Sequence, residues 1–256
     1  MEHHIWSKVD VLEELAGLVG QGFFFFAGVS RSWRSAWGDR ATDTRVFTPY
    51  TSVSQVLESL ACGLRRDEKV CSIAARFGNL EVLQSARENG CPWNEYTCSN
   101  AAAGGHLVAL QWARENGCAW DVYTSYEAAA GGHLTTLQWA RQSGCAWDEY
   151  TSCKAAAGGH IITLQWAHEN GCPWDYRTCI CAASGGHLTI LQWVRQNGCP
   201  WTTHTCSQAA ARGHLSALKW ARQNGCPWHE RTCSQAAAGG QLETLQWARQ
   251  NGCAWD

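Results

Sequence analysis

The sequence predicts an all-α solenoid of stacked helix–turn–helix repeats, preceded by a helical N-terminal cap module. Two observations predict it. The chain restarts every 27 residues without an insertion, with Gly90, Gly117, Gly144, Gly171, Gly198, Gly225 and Gly252 marking the period. Inside each period, apolar residues recur at helical rather than strand spacing. Full copies open at Thr97, Thr124, Thr151, Thr178, Thr205 and Thr232, and a divergent first copy runs from 70 to 96, making seven repeats over 70–256. A pair of short helices cannot bury its own apolar face, so neighbouring copies must stack.

Taken from the N-terminus, residues 1–45 follow other rules. Leu12, Leu15, Leu18 and Val19 mark an amphipathic helix, Gly20 and Gly22 a turn, and Phe25, Val29, Trp33 and Trp37 a second helix at i+4 steps. Such a module suits a cap that shields the apolar face of the first repeat. Over 46–69, Val53, Val56 and Gly63 fall on the phase of the array, so "SVSQVLESLACGL" reads as the second half of a decayed repeat.

Within a repeat, the opening threonine is the expected N-cap. "AAAGG" then gives a small-residue helix able to pack closely, followed by a turn. The second helix, "HLVALQWAREN", sets Leu107, Leu110 and Ala113 on one face. It stops at Gly117, suited to a left-handed C-terminal cap, and in four copies a proline stands two residues beyond that glycine. The Gly-Cys-(Pro/Ala)-Trp turn brings one tryptophan per repeat into the core, where full burial would remove about 150–250 Å² from water.

Composition excludes several functions. A formal charge of −2 gives no basic field to attract nucleic acid. No apolar run approaches the roughly 20 residues of a spanning helix, and the first ten residues lack a signal-peptide pattern. The expectation is a cytoplasmic protein, with the nucleus open to it, and no membrane partner. The fifteen cysteines are an odd number without a secretory signal, which favours small apolar core residues over a disulfide framework. No nucleophile, base and orienting group stand out from the repeats, so the chain is read as non-enzymatic, without cofactor, metal or small-molecule substrate.

"AAAGGHLVALQWARENGCAWD" resembles the ankyrin repeat over about residues 52–256. Gly105-His106, Leu110 and Gly117-Cys118-Ala119-Trp120-Asp121 fall on that family's Gly-His, core aliphatic and Gly-Ala-Asp-Val-Asn positions. This repeat is shorter than the family's 33 residues, and lacks its Thr-Pro-Leu-His opening and most of the hairpin finger. The resemblance implies that His106, His133, His160, His187 and His214 bond neighbouring loop backbone, and that Cys91, Cys118, Cys145, Cys172, Cys199, Cys226 and Cys253 replace a buried alanine. Repeats 8–10 Å apart cannot readily share a metal between ladder members, and are too far apart for repeat-to-repeat disulfides. The second series, Cys98, Cys179, Cys206 and Cys233, sits too far along the chain from the first for a zinc knuckle. Residues 9–37 resemble an F-box ending in Val29, Trp33 and Arg34, without the usual leading Leu-Pro. That likeness implies a Skp-type adaptor docking on Phe25, Val29, Trp33 and Arg34.

Positions that vary between copies are free to read a partner. One first-helix column runs Ile73, Asn100, Glu127, Lys154, Cys181, Gln208, Gln235. The residues just before each opening threonine include Tyr96, Tyr123, Tyr150, Tyr176, Arg177, His204 and Arg231, and tyrosine and arginine are enriched at interface hot spots. The expected function is a non-catalytic protein–protein interaction scaffold, with a protein partner on this surface and a role as substrate receptor for a cullin-type ubiquitin ligase. The alternative is a metal-binding or redox protein drawing on the Cys/His ladders, or a regulatory subunit of an enzyme.

Overall fold

The computed structural model describes residues 52–61 and 66–254, so Phe25, Val29, Trp33 and Arg34 lie outside the described residues. Fifteen α-helices and no strand occur among the described residues. In chain order they are α1 (Val53–Ala61), α2 (Glu68–Arg76), α3 (Leu80–Glu88), α4 (Glu95–Ala103), α5 (Leu107–Glu115), α6 (Val122–Ala130), α7 (Leu134–Gln142), α8 (Glu149–Ala157), α9 (Ile161–Glu169), α10 (Tyr176–Ser184), α11 (Leu188–Gln196), α12 (Thr203–Ala211), α13 (Leu215–Gln223), α14 (Glu230–Ala238) and α15 (Leu242–Gln250). Even-numbered helices are the first helix of a repeat, and odd-numbered helices from α3 onward the second.

The chain divides into two compact units, Met1–Ala101 with Val108–Ala119, and Ala102–Leu107 with Trp120–Asp256. In the first, α1 buries Val56 and Leu60 and packs on α3, and α2 pairs with α3. Ser52 and Gln55 exchange side-chain hydrogen bonds with each other's backbone N–H, at 2.8 and 3.3 Å, which caps α1 in the manner of a capping box.

In the second unit, each first helix packs on the next, α6 on α8, α8 on α10, α10 on α12 and α12 on α14. Alanine makes this possible. Ala128, Ala129, Ala155, Ala156, Ala182, Ala183, Ala209 and Ala210 are fully buried, and their short side chains let helix backbones approach closely. Each first helix then folds back on its own second helix, which contributes one fully buried leucine: Leu137, Leu164, Leu191 or Leu218. The last pair is less covered. Leu242 is exposed there, and Cys233, Ala248 and Cys253 form a small cluster with Trp228, Leu245 and Trp247.

Two sequence expectations need correction. The opening threonine is not the N-cap. The cap stands three residues earlier, where Asp121, Asp148 and Asp175 accept from the N–H of Tyr123, Tyr150 and Arg177 at 3.0, 2.9 and 2.8 Å. Thr124, Thr151 and Thr178 lie inside the first turn, fully buried. An aspartate carboxylate reaches the second helical N–H from an extended residue, and its charge complements the helix N-terminus. The turn tryptophans are also not core residues. Each described one stays half-buried and meets the tryptophan of the next second helix edge-on, as with Trp147 and Trp166 (5.7 Å between centroids) or Trp201 and Trp220 (5.9 Å). Arg141, Arg195 and Arg222 cover Trp147, Trp201 and Trp228 at 4.5, 4.5 and 4.6 Å. Arg195 Nη1 also donates to the carbonyl of Cys199 at 3.1 Å, closing the end of α11. The Arg–Trp–Trp set is a structural staple, which explains its recurrence.

Candidate protein-binding surface

Two ladders fix the ends of the first helices. At the glycine turns, His133 Nε2 donates to the Ala103 carbonyl at 3.2 Å, His187 to Ala157 at 3.0 Å and His214 to Ser184 at 3.0 Å. A carbonyl only accepts, so these three rings carry their proton on Nε2. The backbone role that the resemblance implied for the histidines therefore holds for these three. At the opposite end, the turn cysteines donate to the carbonyl of the preceding cap residue. Cys145 bonds Asp121 at 3.3 Å, Cys172 bonds Asp148 at 3.4 Å, and Cys199 bonds Asp175 at 3.2 Å. These cysteines are buried, and burial pushes the Cys172 thiol up from its ordinary value.

The second cysteine series completes the same contact from inside the repeat. Cys179 Sγ lies 3.9 Å from the Cys199 carbonyl and Cys206 Sγ 4.0 Å from that of Cys226. In two repeats a serine stands in this place instead. Ser125 Oγ donates to the Ala146 carbonyl at 2.7 Å, and Ser152 Oγ to the Pro173 carbonyl at 2.9 Å. Serine does the same work, so the position demands a small buried donor and not thiol chemistry.

With the ladders at the two ends, the outer edge of the first helices is the face left to vary. Tyr123 and Tyr150 sit at the second position of α6 and α8 and are 56% and 44% exposed. Between them lies Tyr126, only 8% exposed, its ring 5.3 Å from Tyr123 and 5.9 Å from Tyr150. Its hydroxyl donates to Asp148 Oδ2 at 2.5 Å. Burial first, and the Asp148 bond and charge second, raise its ionisation above the ordinary tyrosine range. Arg177 continues the row. Its guanidinium lies 4.8 Å over the Tyr150 ring and 5.8 Å from that of Tyr176, while bonding Glu149 at 3.1 Å and Asp175 at 3.5 Å. The result is a continuous aromatic and cationic strip, Tyr123–Tyr126–Tyr150–Arg177, across α6, α8 and α10.

No family model and no curated protein matches the chain. Among 138 solved chains that do match, the ankyrin repeat domain of human ASB11 aligns with a TM-score of 0.49 at 14% identity, over 61% of this chain and 84% of that one.

The other residues chosen from the sequence do not join the strip. His204 and Arg231 are exposed at the matching positions of α12 and α14, Lys154 and Gln235 are exposed, and Glu127 and Gln208 half-buried. Tyr96 is exposed in the first unit, where Asn100 Nδ2 donates to its carbonyl at 2.9 Å and so serves its own helix. Two features escaped the sequence reading. One is Tyr126, and the other is a disulfide between Cys153 of α8 and Cys181 of α10, with Cα atoms 5.6 Å apart. The bridge overturns the expectation of no repeat-to-repeat disulfide. Helix axes about 8–10 Å apart still bring facing Cα atoms well inside that spacing, because each Cα stands about 2.3 Å out from its own axis, so these two positions fall within bridging range. A signal was present in the column Ser72, Ser99, Tyr126, Cys153, Ile180, Ser207, Ser234, where serine gives way only in three consecutive middle repeats.

Proposed function

We propose that this chain is a non-catalytic protein-binding scaffold whose recognition surface centres on α6, α8 and α10. The observation that carries this reading is the Tyr123–Tyr126–Tyr150–Arg177 strip. Tyr123 and Tyr150 are exposed on it, its rings and guanidinium are pre-ordered by their own ring and ion-pair contacts over the buried Tyr126, and it is confined to the repeats that depart from the serine column. Rigid tyrosine and arginine lose little entropy on binding and supply area and hydrogen bonds together. The test uses the full chain as bait. A partner should be held by the wild type and by a Gln196→Ala variant of the second-helix side. It should bind the Tyr150→Ala/Arg177→Ala double variant at least about tenfold more weakly, the scale of hot-spot loss. Equal affinity for all three baits would overturn the reading.

A narrower form makes the protein a substrate receptor of a cullin-type ubiquitin ligase, cytoplasmic or nuclear. Residues 1–45 would form the adaptor module, 46–69 a half repeat and 70–256 the recognition array. Among the described residues, no helix is long and apolar enough to cross a membrane. Support for the adaptor module is the sequence pattern of Phe25, Val29, Trp33 and Arg34. Purified Skp-type adaptor should co-elute with the full chain and be released by Trp33→Ala. Absence of co-elution with the wild type removes the ligase role and leaves the scaffold standing.

A further inference from the structure

Cys153 and Cys181 are set apart from the other described cysteines. The remaining twelve are buried thiols in the recurrent series. Cysteine occurs once in the column of Cys153 and once in that of Cys181, and the two meet across α8 and α10. No other pair of adjacent repeats carries cysteines at both touching positions. Their access also differs. Cys153 is 7% exposed, while Cys181 is only half-buried. Cys153 Sγ lies 3.7 Å from the Arg177 carbonyl, an acceptor that its free thiol can use when the bridge is open. An open bridge therefore leaves the Cys153 thiol with an acceptor already in place.

We propose that Cys153 and Cys181 form a reversible thiol–disulfide couple. It exchanges with glutathione-class disulfides and, when oxidised, staples α8 to α10. The accessible Cys181 thiolate attacks one sulfur of the small disulfide. That S–S bond breaks, a mixed disulfide forms, and the first glutathione leaves and takes up a proton. Cys153 then attacks Cys181 Sγ and releases the second glutathione. Two protein thiols and one glutathione disulfide become one protein disulfide and two glutathione thiols, with two electrons passing to glutathione.

The twelve other described cysteines stay out of this exchange. They are enclosed, and attack requires an accessible thiolate. Burial raises Cys71 to about 12, which leaves it protonated at neutral pH. The serines at the matching place in two repeats show that a sulfur pair is not what the buried series needs. The staple lies beside Arg177, Tyr150 and Glu149, so its closure fixes the middle of the exposed strip. That consequence rests on the recognition reading above, whereas the redox couple itself does not.

The test takes the full chain, reduced, desalted and treated natively with oxidised glutathione. The intact mass should fall by about 2 Da, and digestion should yield one cross-linked pair, Cys153–Cys181. The apparent thermal midpoint should rise by roughly 5–15 °C, as expected for closing a loop of this span, and dithiothreitol should reverse both changes. Cys153→Ser should instead trap Cys181 as a mixed disulfide, gaining about 305 Da. Where a serine variant loses its helical circular dichroism, Cys153→Ala takes its place, and the wild-type comparison stands without either. Cross-links spread over the buried series, or no bridge between Cys153 and Cys181 under native oxidation, would overturn the couple. An unchanged midpoint after bridging would overturn the staple. Equal partner affinity of the wild type and the Tyr150→Ala/Arg177→Ala variant, with this redox behaviour intact, would overturn the recognition reading alone.

Discussion

Gly186→Ala tests how the histidine ladder seats one repeat on the next. Gly186 has φ +74°, and a Cβ built there would stand 2.5 Å from His214 Nδ1 and 2.7 Å from Cε1. Alanine pays about 1–2 kcal/mol for the left-handed backbone alone. The clash must also push the imidazole off the Ser184 carbonyl, 3.0 Å from Nε2, forfeiting a bond worth about 1 kcal/mol and disturbing the local packing. The sum is about 2–4 kcal/mol. Gly198→Ala is the control. Its φ is +84°, but nothing lies within 4 Å of its Cβ, so only the backbone part of about 1–2 kcal/mol applies. Urea denaturation followed by circular dichroism would measure both. In a His214→Ala background, Gly186→Ala should fall to the cost of Gly198→Ala, a coupling of about 1 kcal/mol or more. If Gly186→Ala costs the same with and without His214, the ring is not what demands glycine there, and the reasoning fails.

Leu164→Ala, at a fully buried position of α9, should destabilise by about 3 kcal/mol in the same denaturation assay. Asp175→Ala should cost about 1 kcal/mol as a lost N-cap. Thr178→Val, whose hydroxyl is buried without a hydrogen-bond partner, should cost nothing or stabilise by up to about 1 kcal/mol; the opposite ranking would restore the threonine as cap. Tyr126→Phe should lose about 1–2 kcal/mol at neutral pH with the Asp148 bond. The folded Tyr126 ionises above its unfolded value of about 10, so its contribution is complete below that pH and is lost as pH rises through the folded value. The stability gap between wild type and Tyr126→Phe should close in alkaline denaturation series, and a constant gap would contradict the bond.

The sequence by itself determined the period, the helix pairs, the glycine stops and the small buried first helices. Each is a local or strictly periodic property, and repetition multiplies the signal. Leu137, Leu164, Leu191 and Leu218 could be named as core from spacing alone, because every copy faces the same neighbours. The cap residue was misread by three positions, since Thr and Asp both suit an N-cap and only backbone geometry tells which one is extended. The tryptophans were misplaced for a related reason: recurrence shows that a ring has a structural role, not how deeply it is buried.

Tertiary structure decided everything that depends on the offset between adjacent repeats. It joined Tyr126 to Asp148 and Tyr150, laid Arg177 over Tyr150, and brought Cys153 to Cys181, which are 28 residues apart. A 27-residue period aligns like positions of adjacent copies, so contacts between unlike columns are invisible until the helices have a rotation and a separation. Alanine–alanine packing sets both, and through them it selects which varied residues form one surface.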